Sequence, residues 1–449
     1  MKNKVLALVA ILISAAFAPA ASALPVFSRQ TGFSCNQCHF QQFPMLNAFG
    51  RSFKNSGFTM IGTEKKVEGS GLSIPETLNL GILTTFGVEN VSNPDSANNP
   101  NGVYDSVNTP AGGGELSIFY GGRINENMGF LAELGLADTS AATSSAKLPI
   151  FYQVADGTRA GVVIMTTADQ GAAHSFETLN TGAVAVQRMA PMSGLYSNNA
   201  HIRVNSAAQY LNTATGAQGA SFVVNNDHYF VNVGKYAVIS TAGQSTRSGS
   251  MGMTYARAAG IFDVAGFDSA VGVQMFRGDD AALPDPKTGL PGVDPVTNLP
   301  FIKKATEATI VDGQMQGTVG NLPLGVYLSF GLAPAVTDTN FSGNYFNPGG
   351  LQTARSTNLA VQVGVVPGVA TLMAAVRQAK NGGLDEAGNP ATDNAVMVGA
   401  TYNFTVNVEA SLSYTTQSGT AWDTPATGPN AGIEPAGKTV TTAMLQAMF

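Results

Sequence analysis

Long stretches of the chain alternate apolar and polar residues in segments of about ten residues, a period of two that is typical of β-strands. The segments are joined in turn by a tight turn and by a long polar loop. This asymmetry is typical of barrels that cross an outer membrane, in which short turns lie on one side and long loops on the other. Many long loops would be unusual in a compact soluble domain. The pattern therefore predicts an all-β transmembrane barrel.

Five hairpins account for much of this alternation. Each has two strands and a tight turn rich in Gly, Pro, Asn or Asp. The predicted hairpins span residues 115–134, 251–276, 308–332, 359–376 and 395–414. The predicted long connections span residues 89–113, 279–299, 338–350, 381–394 and 417–437. Residues 139–210 follow neither pattern, and no boundaries are predicted there.

The composition agrees with a lipid-facing surface. Charged residues make up only 12% of the chain and apolar residues 44%, whereas a typical soluble domain has about 25% charged residues. Beyond the N-terminus, no run of about 18 apolar residues predicts a membrane-spanning helix. Because lipid tolerates no open sheet edge, the strands must close, and we expect an even number of about 16 antiparallel strands.

The two ends of the chain indicate where the barrel is placed. Lys2 and Lys4, an apolar run over 5–17 and small residues at 21–23 predict a cleaved signal peptide at residues 1–23. The alternative is an uncleaved anchor. The terminal Phe449 lies on an alternating strand and resembles the assembly signal of bacterial outer-membrane proteins. We therefore predict export to the cell outer membrane.

Residues Cys35–His39 carry the chemistry, because C-x-x-C-H is the attachment motif of a c-type haem. We predict one covalently bound haem c, attached through Cys35 and Cys38 and ligated by His39 as proximal ligand. A thioredoxin-like redox pair would need a βαβ context, which the sequence lacks. A zinc site would need about four ligands. A structural disulfide would not need His39.

Residues 24–66 form a haem segment that precedes the barrel at residues 67–449. A helix is predicted from Pro44 to Gly57, with an apolar face, and seven of the 24 phenylalanines lie between Phe27 and Phe58. The segment is too short to bury a sufficient core alone. It carries a net charge of +4, against −12 for residues 67–449. We therefore predict a short α-helical haem segment that plugs or caps the barrel lumen.

Three further residues are candidates for contacts with the haem. Met60 is the first candidate for the distal iron ligand and Met45 the second, and a methionine would raise the reduction potential relative to a second histidine. Either methionine can also be read as an ordinary packing residue. Arg51 is a candidate partner for a haem propionate, with a solvated helix arginine as the alternative reading.

The N-terminal residues resemble the signature of the fused cytochrome–porins, outer-membrane iron oxidases of iron-oxidising bacteria. The resemblance covers residues 24–59, and the family commonly has Tyr where this chain has Phe58. Beyond these residues it extends only to architecture, one haem segment followed by a porin-like barrel. The matching residues are Leu24–Gly32, Cys35–His39, Phe43–Pro44, Leu46–Asn47, Phe49–Arg51, Phe53–Lys54 and Gly57–Thr59.

The resemblance implies an Fe(II)-oxidising electron-transfer oxidoreductase. Extracellular Fe(II) would reduce the haem, which would pass the electron inward to a periplasmic cytochrome. No ligands for the substrate iron can be carried over from the family. Loop acids are candidates to attract Fe(II) as hard oxygen donors, although such residues are commonly only solvated. These acids are Asp279, Asp280, Asp285 and Asp294.

Two other functions remain open from the sequence. The same architecture could conduct electrons between a different donor and acceptor, or the chain could be a diffusion porin with a structural haem plug. The predicted partners are Fe(II), a periplasmic electron-accepting cytochrome and outer-membrane lipid. No nucleic-acid partner is expected, and the oligomeric state is left open.

Overall fold

The computed structural model describes residues 25–62, 65–92, 103–109, 114–136, 144–190, 206–239, 251–281, 303–338, 341–426 and 435–449. Its helices are α1 (Pro25–Thr31), α2 (Cys35–Cys38), α3 (Ala48–Asn55) and α4 (Ala207–Tyr210), with short 3-10 turns at Ala172–Ser175 and Thr420–Trp422. None of the described helices is long and apolar enough to cross a membrane.

The strands are numbered in chain order. The first twelve are β1 (Lys66–Gly69), β2 (Leu72–Pro75), β3 (Leu80–Ser92), β4 (Val103–Asn108), β5 (Leu116–Asn125), β6 (Met128–Gly135), β7 (Ser144–Ala155), β8 (Thr158–Thr167), β9 (Ala217–Asn225), β10 (Tyr229–Val238), β11 (Met253–Val264) and β12 (Phe267–Arg277). The others are β13 (Asp279–Ala281), β14 (Lys303–Ala305), β15 (Ala308–Val319), β16 (Leu322–Ala333), β17 (Phe341–Asn344), β18 (Ala354–Val366), β19 (Ala370–Leu384), β20 (Pro390–Thr392), β21 (Asn394–Thr405), β22 (Val408–Ser418) and β23 (Thr439–Met448).

Sixteen long antiparallel strands of the described chain close into one barrel, which confirms the predicted fold class. They are β3, β5 to β12, β15, β16, β18, β19 and β21 to β23, and the short strands β4 and β20 extend the same sheet. The last strand, β23, closes the barrel by pairing with β3. Ile82 and Phe449 exchange backbone hydrogen bonds of 2.7 and 2.9 Å at the seam.

Side chains alternate between the outside and the lumen along every barrel strand. On β10, Val231 and Val233 point outward and are 39% and 46% exposed, whereas Asn232 between them is fully buried in the lumen. Equivalent outward apolar residues recur around the barrel, including Phe222, Val271, Leu328, Leu372 and Leu412. A closed barrel with an apolar outer band and a polar interior is a transmembrane barrel of the outer-membrane type.

The five predicted hairpins are confirmed as β5–β6, β11–β12, β15–β16, β18–β19 and β21–β22. The prediction that residues 89–113 and 381–394 form long polar connections is wrong in part. β3 continues to Ser92 and pairs with β4, while β19 continues to Leu384 and pairs with β20. These strands carry polar residues but still pair, because backbone pairing beyond the lipid does not require an apolar face.

The helix predicted from Pro44 to Gly57 is shorter, running from Ala48 to Asn55. Asn47 caps its N-terminus by accepting a 2.9 Å hydrogen bond from the backbone N–H of Gly50, which fixes the start after Pro44. Gly57 follows the helix end with φ +71°, a left-handed conformation that favours glycine.

Residues 25–62, hereafter the N-terminal segment, lie in the barrel mouth at the end with the short turns. Asn55 donates a 3.1 Å hydrogen bond to the carbonyl oxygen of Asn226 in the β9–β10 turn. Arg51 forms an ion pair with Asp268 beside the β11–β12 turn. Short turns face the periplasm in outer-membrane barrels. The N-terminal segment therefore occupies the periplasmic mouth, as predicted.

Residues 168–190 and 206–216, hereafter the lumenal loop, connect β8 to β9 and fold into the barrel. Arg257 of β11 reaches Glu177 of the loop at 2.9 Å and Asp312 of β15 at 2.7 Å, and these ion-paired side chains are completely buried. Thr181 donates a 2.9 Å hydrogen bond to the same Asp312 carboxylate. Buried charges persist only when paired and hydrogen-bonded, so this network fixes the loop across the lumen.

A second cluster holds the far part of the lumenal loop. Tyr210 donates a 2.9 Å hydrogen bond to Asp393, which also accepts one of 2.8 Å from the indole of Trp422. Arg377 pairs with the same carboxylate. The loop is thus bound at two levels of the barrel wall.

Candidate functional site

The C-x-x-C-H motif forms one helical turn, α2, followed by an extended residue. The backbone N–H of His39 donates to the carbonyl oxygen of Cys35 at 2.8 Å. The Nδ1 atom of His39 lies 3.3 Å from the carbonyl oxygen of Met45, so Nδ1 carries the proton and Nε2 keeps its lone pair. Burial lowers the pKa of His39 to about 4, which keeps the imidazole neutral. A neutral histidine with its second nitrogen hydrogen-bonded to a carbonyl is oriented as a metal ligand.

Asn47 joins this turn to α3. Its backbone N–H donates to the carbonyl oxygen of Cys38 at 3.0 Å, and its side-chain amide donates to that of Gln37 at 3.0 Å. Its side-chain oxygen caps α3. One residue therefore sets the position of the helix relative to both cysteines.

Gly50 allows α3 to approach the motif closely. A methyl group at this position would overlap the backbone carbonyl of Cys38, so Gly50→Ala must push the two apart. Overpacking of this kind costs about 1–3 kcal/mol, and about 1.4 kcal/mol is a tenfold change. We expect roughly tenfold faster proteolytic cleavage of the N-terminal segment in Gly50→Ala.

Gly260 on β11 is the matched control, because a methyl group there would meet nothing within 4 Å. Gly260→Ala should be cleaved at the wild-type rate. If Gly50→Ala and the wild type were cleaved by protease at the same rate, α3 would not pack against the backbone of Cys38 as described.

A cavity inside the lumen lies against both cysteines and His39. Its empty volume, part of which is continuous with solvent, is about 1680 Å³. The walls come from the N-terminal segment, from the lumenal loop and from the inner faces of β3, β5, β6, β7, β22 and β23. The apolar lining residues include Val26, Phe27, Phe43, Leu46, Phe53, Phe58, Leu83, Phe119, Leu131, Val184 and Val186.

Two buried lysines place their amino groups at this cavity, which is also lined by Glu115, Glu133 and Glu409. Lys54 donates a 2.9 Å hydrogen bond to Gln187, and burial lowers its pKa to about 8. Lys147 of β7 donates a 2.9 Å hydrogen bond to the carbonyl oxygen of His174. Neither lysine forms an ion pair with an acidic side chain of the described residues, and burying an ammonium without a counter-charge is costly. An anionic ligand in the cavity would supply that counter-charge.

The cavity residues fit a haem c. Two thiols and an oriented imidazole meet the attachment and ligation requirements of the C-x-x-C-H motif, and aromatic walls match the porphyrin faces. The ammonium groups of Lys54 and Lys147 suit the two propionates. The pKa of the Cys38 thiol is raised to about 11 by burial, which favours the protonated thiol.

The structure places the other predicted contact residues outside this cavity. Met45 is fully buried and packs with Tyr327 and Met373, and neither Met45 nor Met60 is among the lining residues. Arg51 forms an ion pair with Asp268, and its role as a propionate partner stays a prediction. The ligand roles of both methionines stay predictions.

Sequence reasoning missed the lumenal loop and the lysines. His174, Gln187 and Arg188 of the loop line the cavity, although no boundaries are predicted for that region from sequence. The available signal was the stretch 172–190, which is far more apolar than the other long connections. An apolar loop between two barrel strands indicates a segment that folds inward rather than into solvent.

The loop acids predicted to attract Fe(II) form no site in the part of the chain that is described. Asp279 and Asp280 lie in β13, whereas Asp285 and Asp294 fall outside the described residues. Among the described residues, no group of three or more His, Cys, Asp or Glu side chains is arranged to hold a metal ion.

No family model matches the sequence, and a search of curated proteins gave no match. OmpT, an outer membrane protein of Vibrio cholerae, aligns with a TM-score of 0.47 and 10% identity over 86% of this chain and 100% of its own. The anion-selective porin from Comamonas acidovorans aligns with a TM-score of 0.49 and 12% identity, over 83% of this chain and 99% of its own. Salmonella typhi OmpF in complex with daunomycin aligns with a TM-score of 0.46 and 12% identity, over 86% of this chain and 100% of its own. These are likenesses of fold alone.

The barrel and its apolar band define the class of protein. The chain is a porin-like outer-membrane β-barrel. Within that class, it carries an N-terminal segment with a C-x-x-C-H motif in the periplasmic mouth and a lumenal loop across the barrel centre.

Proposed function

We propose that the protein carries one covalently bound haem c in the lumenal cavity and moves electrons across the outer membrane, oxidising extracellular Fe(II). The observation that carries the proposal is the cavity itself. It brings Cys35, Cys38 and His39 together with aromatic walls and the amino groups of two buried lysines inside a closed barrel. A haem bound there supplies a one-electron couple.

Each part of the site has a defined task in this proposal. The thiols of Cys35 and Cys38 would hold the haem covalently, each by adding its S–H across one vinyl group. His39 ligates the iron through Nε2. Lys54 and Lys147 neutralise the propionates, and the apolar walls keep water away.

The position in the periplasmic mouth separates the outer donor from the periplasmic acceptor in this proposal. Fe(II) approaching from the long-loop side loses one electron and remains outside as Fe(III). The electron leaves through the N-terminal segment to a periplasmic cytochrome, which is reduced by one electron. The sparingly soluble Fe(III) product never has to enter the cell.

A diffusion porin with a structural haem plug is the second candidate. A barrel of 16 strands is wide enough for an aqueous channel, which favours this reading. The lumenal loop argues against it, because Glu177, Thr178 and Asn180 are completely buried in the lumen. A lumen filled by a protein loop obstructs the diffusion of solutes, whereas electron transfer needs no open channel.

Lipid vesicles that enclose oxidised soluble cytochrome c distinguish the two functions. With the protein inserted and Fe(II) added outside, we expect the enclosed cytochrome to be reduced. Parallel vesicles that enclose a coloured Fe(II) chelator report any leak of iron, and they should stay colourless. Chelator colour together with a redox-inert haem would favour the porin. Reduction no faster than in empty vesicles would contradict the proposed electron transfer.

A further inference from the structure

His174 belongs to the lumenal loop and lines the same cavity as Cys35, Cys38 and His39 of the C-x-x-C-H motif. It lies in the 3-10 turn Ala172–Ser175 and is 7% exposed. Far apart in sequence, the two histidines are brought to one cavity by the inward fold of the loop.

One ring nitrogen of His174, the Nε2 atom, is buried without a hydrogen-bond partner among the described residues. A buried polar atom without a partner costs about 1–3 kcal/mol, and in native proteins such atoms call for a specific explanation. A metal ion bound at this nitrogen would satisfy it. The ring is neutral, since burial and the nearby charges of Lys147 and Lys54 lower its pKa, and a neutral imidazole is the ligating form.

The barrel wall holds this turn in place. The carbonyl oxygen of His174 accepts the 2.9 Å hydrogen bond from Lys147. Asn232 of β10 donates hydrogen bonds of 2.9 Å to the Ser175 hydroxyl and to the carbonyl oxygen of Phe176. The two residues that follow His174 are therefore bound to the sheet, so the imidazole is carried on a rigid support.

We propose that His174 is the distal ligand of the haem iron, opposite His39. The inference rests on the proposed function, because it requires haem at Cys35 and Cys38. One imidazole then comes from the N-terminal segment and the other from the lumenal loop, so the haem joins two separate parts of the chain.

Met444 of β23 is the competing ligand in the same cavity. It is 6% exposed, but a thioether is a weak acceptor that needs no hydrogen-bond partner. Its burial is therefore ordinary packing, whereas the unpartnered Nε2 atom of His174 is not. Met60 and Met45 do not line the cavity.

Ligation by two histidines has a consequence for the redox chemistry. A second histidine gives a lower reduction potential than a methionine. A lower potential helps the haem to pass its electron onward and demands a more strongly reducing donor. Fe(II) is such a donor where its Fe(III) product is hydrolysed.

Spectroscopy of the full-length protein in detergent tests the ligand directly. Oxidised wild type should be six-coordinate and low-spin, with the near-infrared magnetic circular dichroism of two imidazoles and without a methionine–iron band. His174→Ala should lose the low-spin signal, and added imidazole should restore it. His174→Met should show the methionine–iron band and a higher potential. Pyridine haemochrome spectra of each variant confirm that haem stays attached.

Two control variants should leave the wild-type spectrum unchanged. His228→Ala removes an exposed histidine in the β9–β10 turn, and Met444→Leu removes the competing ligand. A methionine–iron band in the wild type, or an unchanged low-spin spectrum in His174→Ala, would overturn the inference while leaving the proposed function intact. Absence of thioether haem from the wild type would instead overturn the proposed function.

Discussion

Replacing Cys35 and Cys38 together with alanine should remove all covalently attached haem while the barrel still assembles. The two thiols are the only cysteine side chains in the chain, so no other residue can form a thioether. Strand pairing around the barrel, including the closing pair β23–β3, involves neither residue. Haem staining after denaturing electrophoresis measures attachment, and the heat-dependent mobility of the barrel measures folding.

Ser34→Ala is the matched control for the cysteine replacement. Ser34 precedes Cys35, lines the same cavity, and makes no side-chain capping bond to α2. This variant should stain for haem like the wild type. Haem that stays bound through denaturation in the cysteine-free protein would contradict the attachment.

Arg257→Leu should open the lumen. The substitution leaves the carboxylates of Glu177 and Asp312 facing each other in a fully buried position. Removing one partner from a buried ion pair costs about 3–5 kcal/mol, and release of the lumenal loop is the simplest way to rehydrate both carboxylates. We expect the conductance of single barrels in planar bilayers to rise severalfold, with frequent transitions as the loop leaves and returns.

The control is Arg277→Leu, which breaks the 3.6 Å pair between Arg277 and Glu307. Those side chains are 46% and 40% exposed, and an exposed pair contributes about 0–1 kcal/mol. Its conductance should match that of the wild type. If the conductance of Arg257→Leu were as low as that of Arg277→Leu, the buried ion-pair network would not be what holds the lumenal loop in place.

The barrel strands were largely predictable because outward-facing side chains meet lipid and inward-facing ones meet the polar lumen. Apolar and polar residues therefore alternate along each strand. In the predicted hairpin 308–332, for example, Leu328 is exposed and the next residue, Ser329, is buried, as the alternation indicates. The ends of the strands were less predictable, since β3 and β19 pair beyond the lipid with no alternation to mark it. The helix start was misplaced at Pro44 because the cap at Asn47 competes with proline as a starting signal.

The attachment motif was predictable and the rest of the cavity was not. Cys35, Cys38 and His39 are adjacent in sequence, so the sequence itself specifies their chemistry. His174 and Lys147 line the same cavity because the lumenal loop folds inward. Contacts between residues so far apart in the chain produce no periodic pattern in the sequence. Closeness in sequence to the motif, which favours Met60 and Arg51 as candidates, does not specify which side chains line a cavity that the lumenal loop completes.

Anaerobic addition of Fe(II) to the oxidised, purified protein tests the central claim most directly. The visible spectrum should change from that of a ferric to that of a ferrous c-type haem, with one equivalent of Fe(II) consumed per protein. Dithionite then serves as the reference for full reduction. A protein that is colourless, or whose haem responds to dithionite but not to Fe(II) at the pH where its host grows, would contradict the claim.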